Sequence, residues 1–412
     1  MMLKIVPAVM LMMLAGPASA QIGLPTLGGA TGDIGAVLDR GMEPVRSVSR
    51  PVSALARDRV SRLTAYVRQN RNEVELDEER QPARRGEILL LDPDTSAIGT
   101  ARAEGYGLLE HAELEGLGIA YARLAVPDGV DLATAIKQLR RALPEKTVTA
   151  DQLHFTSANG RGEARSQAAK PNPYPLRPRG GTVGIIDGGI TTKTRVAAQR
   201  GFAKGAPVAS EHAIAIASLL SGAGIDRLWA ADVYGNDPAG GNALAIAQAL
   251  GWMVKEHVPV VSIILVGPSN PLLARAVAAA RAKGTVVVAA VGNDGSAAPP
   301  AYPASYPGVI AVTGVDGRRR VLIEAGNALN LDYAAPGADL TAVDSKGARV
   351  KLRGTSYAAP LVAARFAAHR KAGLQGSALV AASDAEASAA GRSRPSRRYG
   401  RGILCGSCRQ GI

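Results

Sequence analysis

The hydrophobic residues in the second half of the chain form short continuous runs, separated by amphipathic or alanine-rich stretches. The runs that predict strands cover residues 182–187, 227–233, 258–265, 285–291 and 309–315. The stretches that predict helices cover residues 212–220, 243–255 and 271–283. Because the runs do not alternate apolar with polar positions, both faces of each strand should be buried, as in a parallel sheet covered by helices. The pattern therefore predicts a doubly wound, mostly parallel α/β domain over residues 181–385.

A different pattern precedes this domain, over residues 86–155. Four strand candidates and two helix candidates follow one another in the order strand, helix, two strands, helix, strand. This is the split βαβ order. It predicts a small α+β domain of about 70 residues, near the lower end of the size range for independent folding.

The segments around this small domain are predicted from composition. Residues 1–20 have Lys4, an apolar core and small residues before Gln21, which is typical of an export signal. Residues 21–85 are basic and weakly patterned, with one amphipathic helix candidate at 55–71. Since no apolar run is long enough for an ordinary span, we expect an exported protein, periplasmic or extracellular, without a membrane span in its mature form.

Positive charge is concentrated at the two ends of the chain. The 412 residues contain 48 Lys and Arg against 35 Asp and Glu, a formal net charge of +13. Much of the excess lies at 46–85 and at 392–401, within the tail 386–412. Such flanks can bind nucleic acid, but the chain has no helix-turn-helix, zinc-finger or aromatic RNA-binding motif. We therefore interpret them as solvated flanks and expect no specific nucleic-acid partner.

The chain has two cysteines, Cys405 and Cys408, both in the tail 386–412. A pair at this spacing can serve redox chemistry or supply half of a zinc site. No second pair accompanies it. For an exported chain, a local disulfide or an idle thiol pair is the interpretation.

Ser356 lies between a Gly-Thr pair and a run of small residues, just before an alanine-rich helical stretch. It should therefore stand near a helix N-terminus, where free N–H groups and the helix dipole favour negative charge. That position suits a nucleophile whose attack creates an oxyanion. The alternative is that Ser356 or Thr355 caps a core helix.

Three further polar residues follow strand candidates or begin a helix. Asp187 ends the strand candidate 182–187, His212 begins an apolar helix candidate, and Asn293 follows Gly292 after the strand candidate 285–291. In parallel sheets, sites gather at the carboxyl ends of the strands. Taken singly, each residue has a structural explanation: a capping aspartate, a structural histidine among five, and a Gly-Asn turn.

Taken together, the four residues resemble the subtilisin-like serine peptidases, in the order Asp, His, Asn, Ser. The matching motifs are Asp-x-Gly at Asp187, Ala-x-Gly-Asn at Asn293 and Gly-Thr-Ser-x-Ala-Ala-Pro at Ser356. The resemblance covers about residues 180–375. His212 is followed by Ala-Ile-Ala, where the family usually has Gly-Thr-His. The domain at 86–155 resembles the propeptide of the family, which assists folding and inhibits the enzyme.

The resemblance implies a serine endopeptidase that acts on protein or peptide substrates and is made as a proenzyme, with its own propeptide-like domain as inhibitor. It implies catalytic roles for Asp187, His212 and Ser356. It implies that Asn293 binds the oxyanion. The residues implied to contact substrate are Ile264, Leu265, Val266, Ala290 and Gly292. The chemistry requires no metal or cofactor, and structural calcium stays open because carbonyl ligands are invisible in a sequence.

Val266 stands where the family commonly has glycine. A branched side chain there would narrow the main specificity pocket, so we expect a preference for small or slender side chains before the scissile bond. The alternative is that Val266 points into the core. The polar segment 156–180 is interpreted as a linker, and we expect cleavage within 155–180.

Two other functions remain open at this point. The first is a catalytically weak or inactive binding protein on the subtilisin-like scaffold, which the altered histidine motif favours. The second is a surface or nucleic-acid binder that acts through the basic flanks, for which binding should fall steeply with salt.

Overall fold

The computed structural model describes residues 43–156, 178–191, 196–389 and 396–411. The predicted export signal and most of the predicted linker lie outside these described residues. Residues 48–412 form one compact unit. Within the described ranges, no helix has the length and apolar character needed to cross a membrane.

The residues before 157 form a five-stranded antiparallel sheet with helices. Strand β2 pairs with β1, β4 and β5, and β3 pairs with β4. Helix α1 contains most of the helix candidate 55–71, whereas β2 begins four residues before the predicted start of the domain at 86. The elements are α1 (Glu43–Gln69), β1 (Val74–Leu76), β2 (Pro82–Leu91), α2 (Thr95–Ala103), β3 (Gly107–Leu114), β4 (Ile119–Ala125), α3 (Leu132–Ala142), β5 (Thr147–Gln152) and β6 (Phe155–Thr156). We call residues 74–156 the N-terminal domain.

The residues after 177 form a seven-stranded sheet, which we call the α/β domain together with its helices. The strand order is β14-β13-β12-β10-β7-β9-β8, and all neighbouring strands are parallel. The elements are β7 (Thr182–Asp187), β8 (Ala198–Gly201), α4 (Glu211–Gly222), β9 (Arg227–Asp232), α5 (Ala243–Lys255), β10 (Val260–Ile263), β11 (Leu265–Val266), α6 (Pro271–Ala282), β12 (Val286–Ala290), β13 (Ile310–Val315), β14 (Tyr333–Pro336), β15 (Leu340–Val343), β16 (Arg349–Leu352), α7 (Thr355–Lys371) and α8 (Gly376–Ala389).

Helices cover both faces of the parallel sheet. Helices α5 and α6 share one core cluster with alternate residues of the strands, and α4 and α7 share another cluster with the remaining residues. On β7, for example, Ile186 belongs to the first cluster and Ile185 to the second. The absence of alternation in these strands thus has its expected cause, and the predicted doubly wound α/β class is confirmed.

Strand β2 is apolar on both faces because each face has a partner. Ile88 and Leu90 belong to a core cluster with α2 and α3. Leu89 and Leu91 belong to the cluster that contains α5 and α6 of the α/β domain. One face of the N-terminal sheet therefore builds its own core, and the other packs on the α/β domain.

The segment 396–411 packs on the α/β domain, which corrects its interpretation as part of a solvated tail. Ala334 N donates to Gly402 O at 2.9 Å, and Leu404 N donates to Ala334 O at 2.8 Å. Further along, Thr341 N donates to the carbonyl of Arg409 at 2.9 Å. The segment thus extends the pairing beyond β14 and β15, and α8 itself runs across the predicted boundary at 385.

Burial explains why this basic segment is ordered. Leu404 is fully buried and shares a core cluster with residues of α4 and α7. Cys405 and Cys408 form a disulfide that closes a turn in this segment. The basic composition of the segment indicated a solvated tail, but burial of a few apolar residues is enough to fix its backbone against the sheet edge.

Candidate active site

Asp187 and His212 are in contact at the carboxyl edge of the parallel sheet. Asp187 is the last residue of β7, and His212 is the second residue of α4. The distance between His212 Nδ1 and Asp187 Oδ2 is 2.7 Å, and Gly188 N donates to Asp187 Oδ1 at 2.6 Å. The Asp187 side chain is fully buried, and the His212 side chain is 10% exposed. A carboxylate at Nδ1 favours the tautomer with the proton on Nδ1, which leaves Nε2 as an acceptor.

Ser356 is the second residue of α7, so it stands at a helix N-terminus. Gly354 precedes the helix with φ 145°, a conformation that favours glycine. Ser356 is fully buried, and in the described part of the chain neither its Oγ nor His212 Nε2 has a hydrogen-bond partner. The ring of Tyr357 lies 5.2 Å from the imidazole ring of His212, measured between centroids. The starts of α7 and α4 therefore meet at this site.

The environment keeps the Tyr357 phenol neutral. Burial, and secondarily the charge of Asp187, raises its pKa. The hydroxyl is therefore no source of negative charge beside His212. Asp187 is thus left as the carboxylate that orients the imidazole.

Asn293 is held next to the start of α7, the helix that carries Ser356. Thr355 N donates to Asn293 Oδ1 at 3.0 Å, and Thr355 Oγ1 donates to Gly292 O at 3.1 Å. Because the amide oxygen accepts from Thr355, the amide Nδ2 is directed away from that N–H. A side-chain amide donor next to a serine at a helix N-terminus is an arrangement that can stabilise an oxyanion.

The last residues of the N-terminal domain lie between two backbone stretches of the α/β domain. Strand β6 pairs antiparallel with β11, so that Phe155 is opposite Val266. On the other side, His154 N donates to Gly241 O at 2.8 Å, and Tyr234 Oη donates to His154 O at 2.9 Å. The chain thus adds its own segment 153–156 as a strand in the cleft, which is one of the common modes of peptide recognition.

The side chain of His154 is fully buried in this arrangement. A Cβ atom on Gly267 would lie 2.6 Å from His154 Cδ2, so a glycine is needed for the imidazole to fit. Burial lowers the pKa of His154 to about 4. The imidazole is therefore neutral when the segment is in place.

Strand β5 contacts the N-terminal ends of two helices of the α/β domain. Asp151 Oδ1 accepts from Leu244 N, in the first turn of α5, at 2.9 Å. Asn270, which caps α6, donates from Nδ2 to Ala150 O at 3.0 Å. A carboxylate at a helix N-terminus, such as Asp151 at α5, satisfies a free N–H group and interacts favourably with the helix dipole. Burial nevertheless raises the pKa of Asp151 to about 7.

A cavity of about 530 Å³ opens beside Asn293. Val266 and Gly292, two of the residues predicted to contact substrate, line it. They also approach each other, because a Cβ atom on Gly292 would lie 3.5 Å from Val266 Cγ1. The Val266 side chain thus borders the cavity and does not point into the core.

Three other residues predicted to contact substrate have side chains that do not reach this cavity. Ile264, Leu265 and Ala290 are fully buried within the two cores of the parallel sheet. Strands that are covered on both faces bury side chains that point to either face, so these three side chains do not line the cavity. Leu265 still takes part through its backbone, which pairs with Thr156.

The sequence did not point to several residues near this cavity. Arg59 and Arg62 of α1 form ion pairs with Asp294, the residue after Asn293. The candidate helix 55–71 was a signal that basic side chains could act together, but nothing in the sequence indicates a partner about 230 positions away. Asp151 and Asn270 were missed for the same reason.

No side-chain metal centre is found near this site. Within the described ranges, no cluster of three or more His, Cys, Asp or Glu residues could hold a metal ion. Calcium sites built from backbone carbonyls would not contain such a cluster.

Comparisons of sequence show which known proteins the α/β domain resembles. A family model described as "Subtilase family" matches residues 179–402, more than half of the chain. Subtilisin BL from Lederbergia lenta is 31% identical over 218 residues, which are 49% of this chain and 80% of subtilisin BL. Subtilisin DY from Bacillus licheniformis is 36% identical over 132 residues, which are 31% of this chain and 48% of subtilisin DY. The chain thus spans about half the length of the latter relative.

Among solved structures, the chain is similar to fervidolysin from Fervidobacterium pennivorans, a keratinolytic enzyme related to subtilisin. The TM-score is 0.61 at 16% sequence identity, over 78% of this chain and 60% of fervidolysin. At that identity the likeness concerns the fold. The family match and the identity to subtilisin BL show that the chain belongs to the subtilase family of serine peptidases.

Proposed function

We propose that the protein is an exported serine endopeptidase, made as a proenzyme, in which Asp187, His212 and Ser356 act as one catalytic unit. The observation that carries the proposal is the 2.7 Å contact of Asp187 and His212 beside a buried Ser356. His212 Nε2 and Ser356 Oγ are both buried and lack a hydrogen-bond partner among the described residues. Burying such atoms without a partner costs free energy, so each one calls for an explanation such as a catalytic role. A base and a nucleophile that tighten on substrate account for both atoms.

The reaction follows from these positions. His212 Nε2 takes the proton of Ser356 Oγ while Oγ forms a bond to the carbonyl carbon of the peptide, and the π electrons move to the carbonyl oxygen. The intermediate collapses by breaking the C–N bond, and the leaving amine takes the proton from His212. A water then repeats the sequence on the acyl-enzyme, which releases the carboxylic acid and restores Ser356. Asp187 holds the Nδ1 proton and stabilises the imidazolium.

The negative charge on the carbonyl oxygen needs donors. Asn293 Nδ2 and the backbone N–H of Ser356 are the donors that we assign to it. The contact of Thr355 N with Asn293 Oδ1 supports the first assignment because it fixes the amide orientation before substrate arrives. Donors that are fixed in advance need no reorganisation during the reaction.

The proenzyme part of the proposal rests on segment 153–156. Its pairing with β11 and with Gly241 is that of a bound peptide strand. We propose that the chain cuts itself within 155–180, and that the freed N-terminal domain inhibits the enzyme until it is degraded. The packing of Leu89 and Leu91 against the core of α5 and α6 supports retention after the cut, since covalent continuity is not needed for that contact.

The test compares the wild-type chain with Ser356→Ala, and with Ser377→Ala as a control serine exposed on α8. An active-serine fluorophosphonate probe should label the wild type and the control but not Ser356→Ala. Mass spectrometry should find a cut within 155–180 in the same two proteins only.

Each contrary outcome removes a defined part of the proposal. A wild-type chain that stays uncut but hydrolyses peptides fully would end the proenzyme assignment. Hydrolysis that persists in His212→Ala would remove this histidine from the mechanism. A chain that neither reacts with the probe nor hydrolyses peptides would instead support the inactive binding protein.

A further inference from the structure

The C-terminal segment 396–411 reaches helix α4, which carries the proposed base, both directly and through strand β15. Gly411 N donates to Thr341 O of β15 at 2.6 Å, and a Cβ atom on Gly411 would clash with Ser218 of α4. Ser218 Oγ in turn accepts from Val343 N of β15 at 2.9 Å. The segment, β15 and α4 therefore pack as one group.

The hairpin of β15 and β16 connects this group to the starts of both helices of the proposed catalytic unit. Its loop residue Ser345 donates from N to Glu211 Oε2 at 3.0 Å, and Glu211 stands directly before His212 in α4. Strand β16 pairs with β15 and is followed by Gly354 and by α7, whose second residue is Ser356. The position of β15 therefore bears on the starts of α4 and α7 together.

The disulfide of Cys405 and Cys408 closes the turn between the two stretches of the segment that pair with the sheet. Before the turn, Leu404 N donates to Ala334 O of β14 at 2.8 Å, and after the turn residues 409–411 pair with β15. Cys405 has a φ of 53°, in the left-handed region that residues other than glycine seldom occupy. The cross-link therefore holds a backbone turn that a cysteine does not favour by itself, and it directs residues 409–411 to β15.

The turn is open to a reductant on one side. Gly406 and Ser407 are exposed and Cys408 is half-buried, whereas Cys405 is buried. The rate of thiol–disulfide exchange depends on access to the sulfur that is attacked. Attack should therefore occur at Cys408 Sγ, with Cys405 as the leaving thiolate.

We propose that the Cys405–Cys408 disulfide is a redox site that sets the activity of the peptidase. The oxidised protein is the active form, and reduction by a dithiol lowers activity because it releases residues 409–411 from β15. The proposal rests on the proposed function and adds a control of the same active site. An exported chain would then gain full activity in an oxidising compartment, whereas the thiols of a reducing compartment would keep its activity low.

The exchange is a two-electron reaction. A thiolate of the dithiol forms a bond to Cys408 Sγ, the S–S bond of the protein breaks, and Cys405 leaves as a thiolate that takes up a proton. The second thiol of the reductant loses its proton and attacks the reductant's own sulfur in the mixed disulfide, which releases Cys408 as a thiolate that is protonated in turn. The protein disulfide is thus reduced to two thiols, and the dithiol is oxidised to a cyclic disulfide.

The test measures peptide hydrolysis by the processed protein before and after treatment with dithiothreitol. Reduction should lower kcat by about 10-fold, since a displacement of a catalytic group by about 1 Å can cost about 10²-fold. KM should stay close to its starting value, because the segment pairs with β14 and β15 and not with β11. Reoxidation should restore kcat.

Cys405→Ser with Cys408→Ser is the matched control, because the chain has two cysteines and this variant lacks both. Its kcat should equal that of the reduced wild type and should not respond to dithiothreitol. If the variant does not fold, the comparison of reduced and reoxidised wild type still decides, since it is made within one protein.

Titration of free thiols with a maleimide shows whether the disulfide has opened. Unchanged kcat in wild type with both thiols free would overturn the proposal, and so would a disulfide that dithiothreitol opens only after denaturation. A loss of kcat that is equally large in the variant without cysteines would assign the effect to something else and overturn it too. Absence of hydrolysis in both redox states would instead overturn the proposed function.

A second readout needs no activity and separates the two failures. In Ser356→Ala protein, reduction should raise backbone hydrogen exchange in β15 and around Ser218 of α4, while α5 and α6 on the other face of the sheet stay unchanged. Equal exchange in the oxidised and reduced proteins would overturn the release of residues 409–411, independently of any result on hydrolysis.

Discussion

The chain before residue 157 meets the α/β domain through two contacts of different character. The N-terminal sheet uses Leu89 and Leu91 on an apolar face, together with Asp151 at the start of α5. Helix α1 uses Arg59 and Arg62, which remain partly exposed and pair with Asp294. One contact is buried and mostly apolar, and the other is charged and accessible to water.

This difference separates two physical roles. Burial of apolar area contributes about 25 cal/mol per Å², so the sheet contact can supply most of the free energy of association. Exposed ion pairs contribute about 0–1 kcal/mol each but depend strongly on which charge faces which. We therefore expect the sheet to hold the N-terminal residues on the α/β domain, and the ion pairs of α1 to add little to the free energy of association.

The largest effect should come from a change that leaves both contacts intact. Ser356→Ala removes the proposed nucleophile, and His212→Ala removes its proposed base. Each should lower kcat by about 10⁶-fold, and the double variant should be little worse, because the residues act as a unit. Steady-state kinetics with thermal melting as the control checks this. A double variant that is far worse than either single one would contradict the shared role.

A second change should separate neighbouring residues of one loop. Asn293→Ala should lower kcat by about 10²–10³-fold, because it removes the proposed side-chain donor to the oxyanion. Asp294→Asn, one residue on, removes a charge that pairs with Arg59 and Arg62 of α1, so it should leave kcat near the wild-type value. Steady-state kinetics on one neutral peptide distinguish the two variants. Equal losses of kcat in the two variants would mean that the loop acts as a single structural element.

A third change should break the sheet contact alone. Leu89→Ala and Leu90→Ala remove the same atoms from opposite faces of β2. Each should cost about 2–5 kcal/mol, the usual range for Leu→Ala in a core. In a Ser356→Ala background, Leu90→Ala should raise hydrogen exchange within β3 and β4. Leu89→Ala should raise it in β6 and β11 while β3 and β4 stay protected.

Identical exchange patterns in the two variants would show that the faces of β2 are not separable. The free energy would then belong to one cooperative unit, and the sheet contact could not be weakened without unfolding the N-terminal domain.

The smallest net effect is expected from pH, because two buried groups oppose each other. Burial lowers the pKa of His154 from 6.5 to about 4, so its contribution to docking is full above 6.5 and is lost as the pH falls towards 4. Burial raises the pKa of Asp151 from 3.8 to about 7, so its contribution is full below 3.8 and is lost as the pH rises through 7. Between pH 4 and 6.5 the two changes largely cancel.

Single substitutions should reveal the two components. In Asp151→Asn, His154 is the one of the two groups that still titrates. Docking of the N-terminal domain on the α/β domain should therefore weaken as the pH falls from 6.5 to 4. In His154→Gln, Asp151 is the one of the two groups that still titrates. Docking should therefore weaken as the pH rises from 4 to 7. Binding of the separated chains after the cut, measured across this range, checks both signs. If docking affinity changed with pH in the same direction in both variants, the opposed contributions of His154 and Asp151 would be contradicted.

Most strands of the parallel sheet were predictable because a continuous apolar run is enough to indicate a strand that is buried on both faces. Runs such as 285–291 are apolar without alternation, and the structure has a strand there, β12, buried on both faces. Short or polar strands gave no such signal. Strands β8, β15 and β16 are four residues each, lie at edges or in a hairpin, and were not predicted.

The candidate site was predictable only where local motifs carry it. Asp187, His212, Asn293 and Ser356 each lie in a short pattern at a strand end or helix start, and the structure brings them to one edge of the sheet. The partners of Asp294 and Leu244 come from residues far away in the chain, so no local pattern could indicate them. The buried side chains of Ile264 and Ala290 show a second limit of prediction from motifs. A motif can place a residue near the site, but it does not show whether the side chain points into the core.

The C-terminal segment 396–411 has a consequence for the order of assembly. Its residue Gly411 lies so close to Ser218 of α4 that a Cβ atom would clash, and Gly411 N donates to Thr341 O at 2.6 Å. Helix α4 carries His212, and a ribosome makes this helix long before it makes the segment that packs on it. The proposed base therefore gains this support only after residues 396–411 have been synthesised. A nascent chain that contains Ser356 but lacks residues 396–411 should have lower peptidase activity than one that includes them.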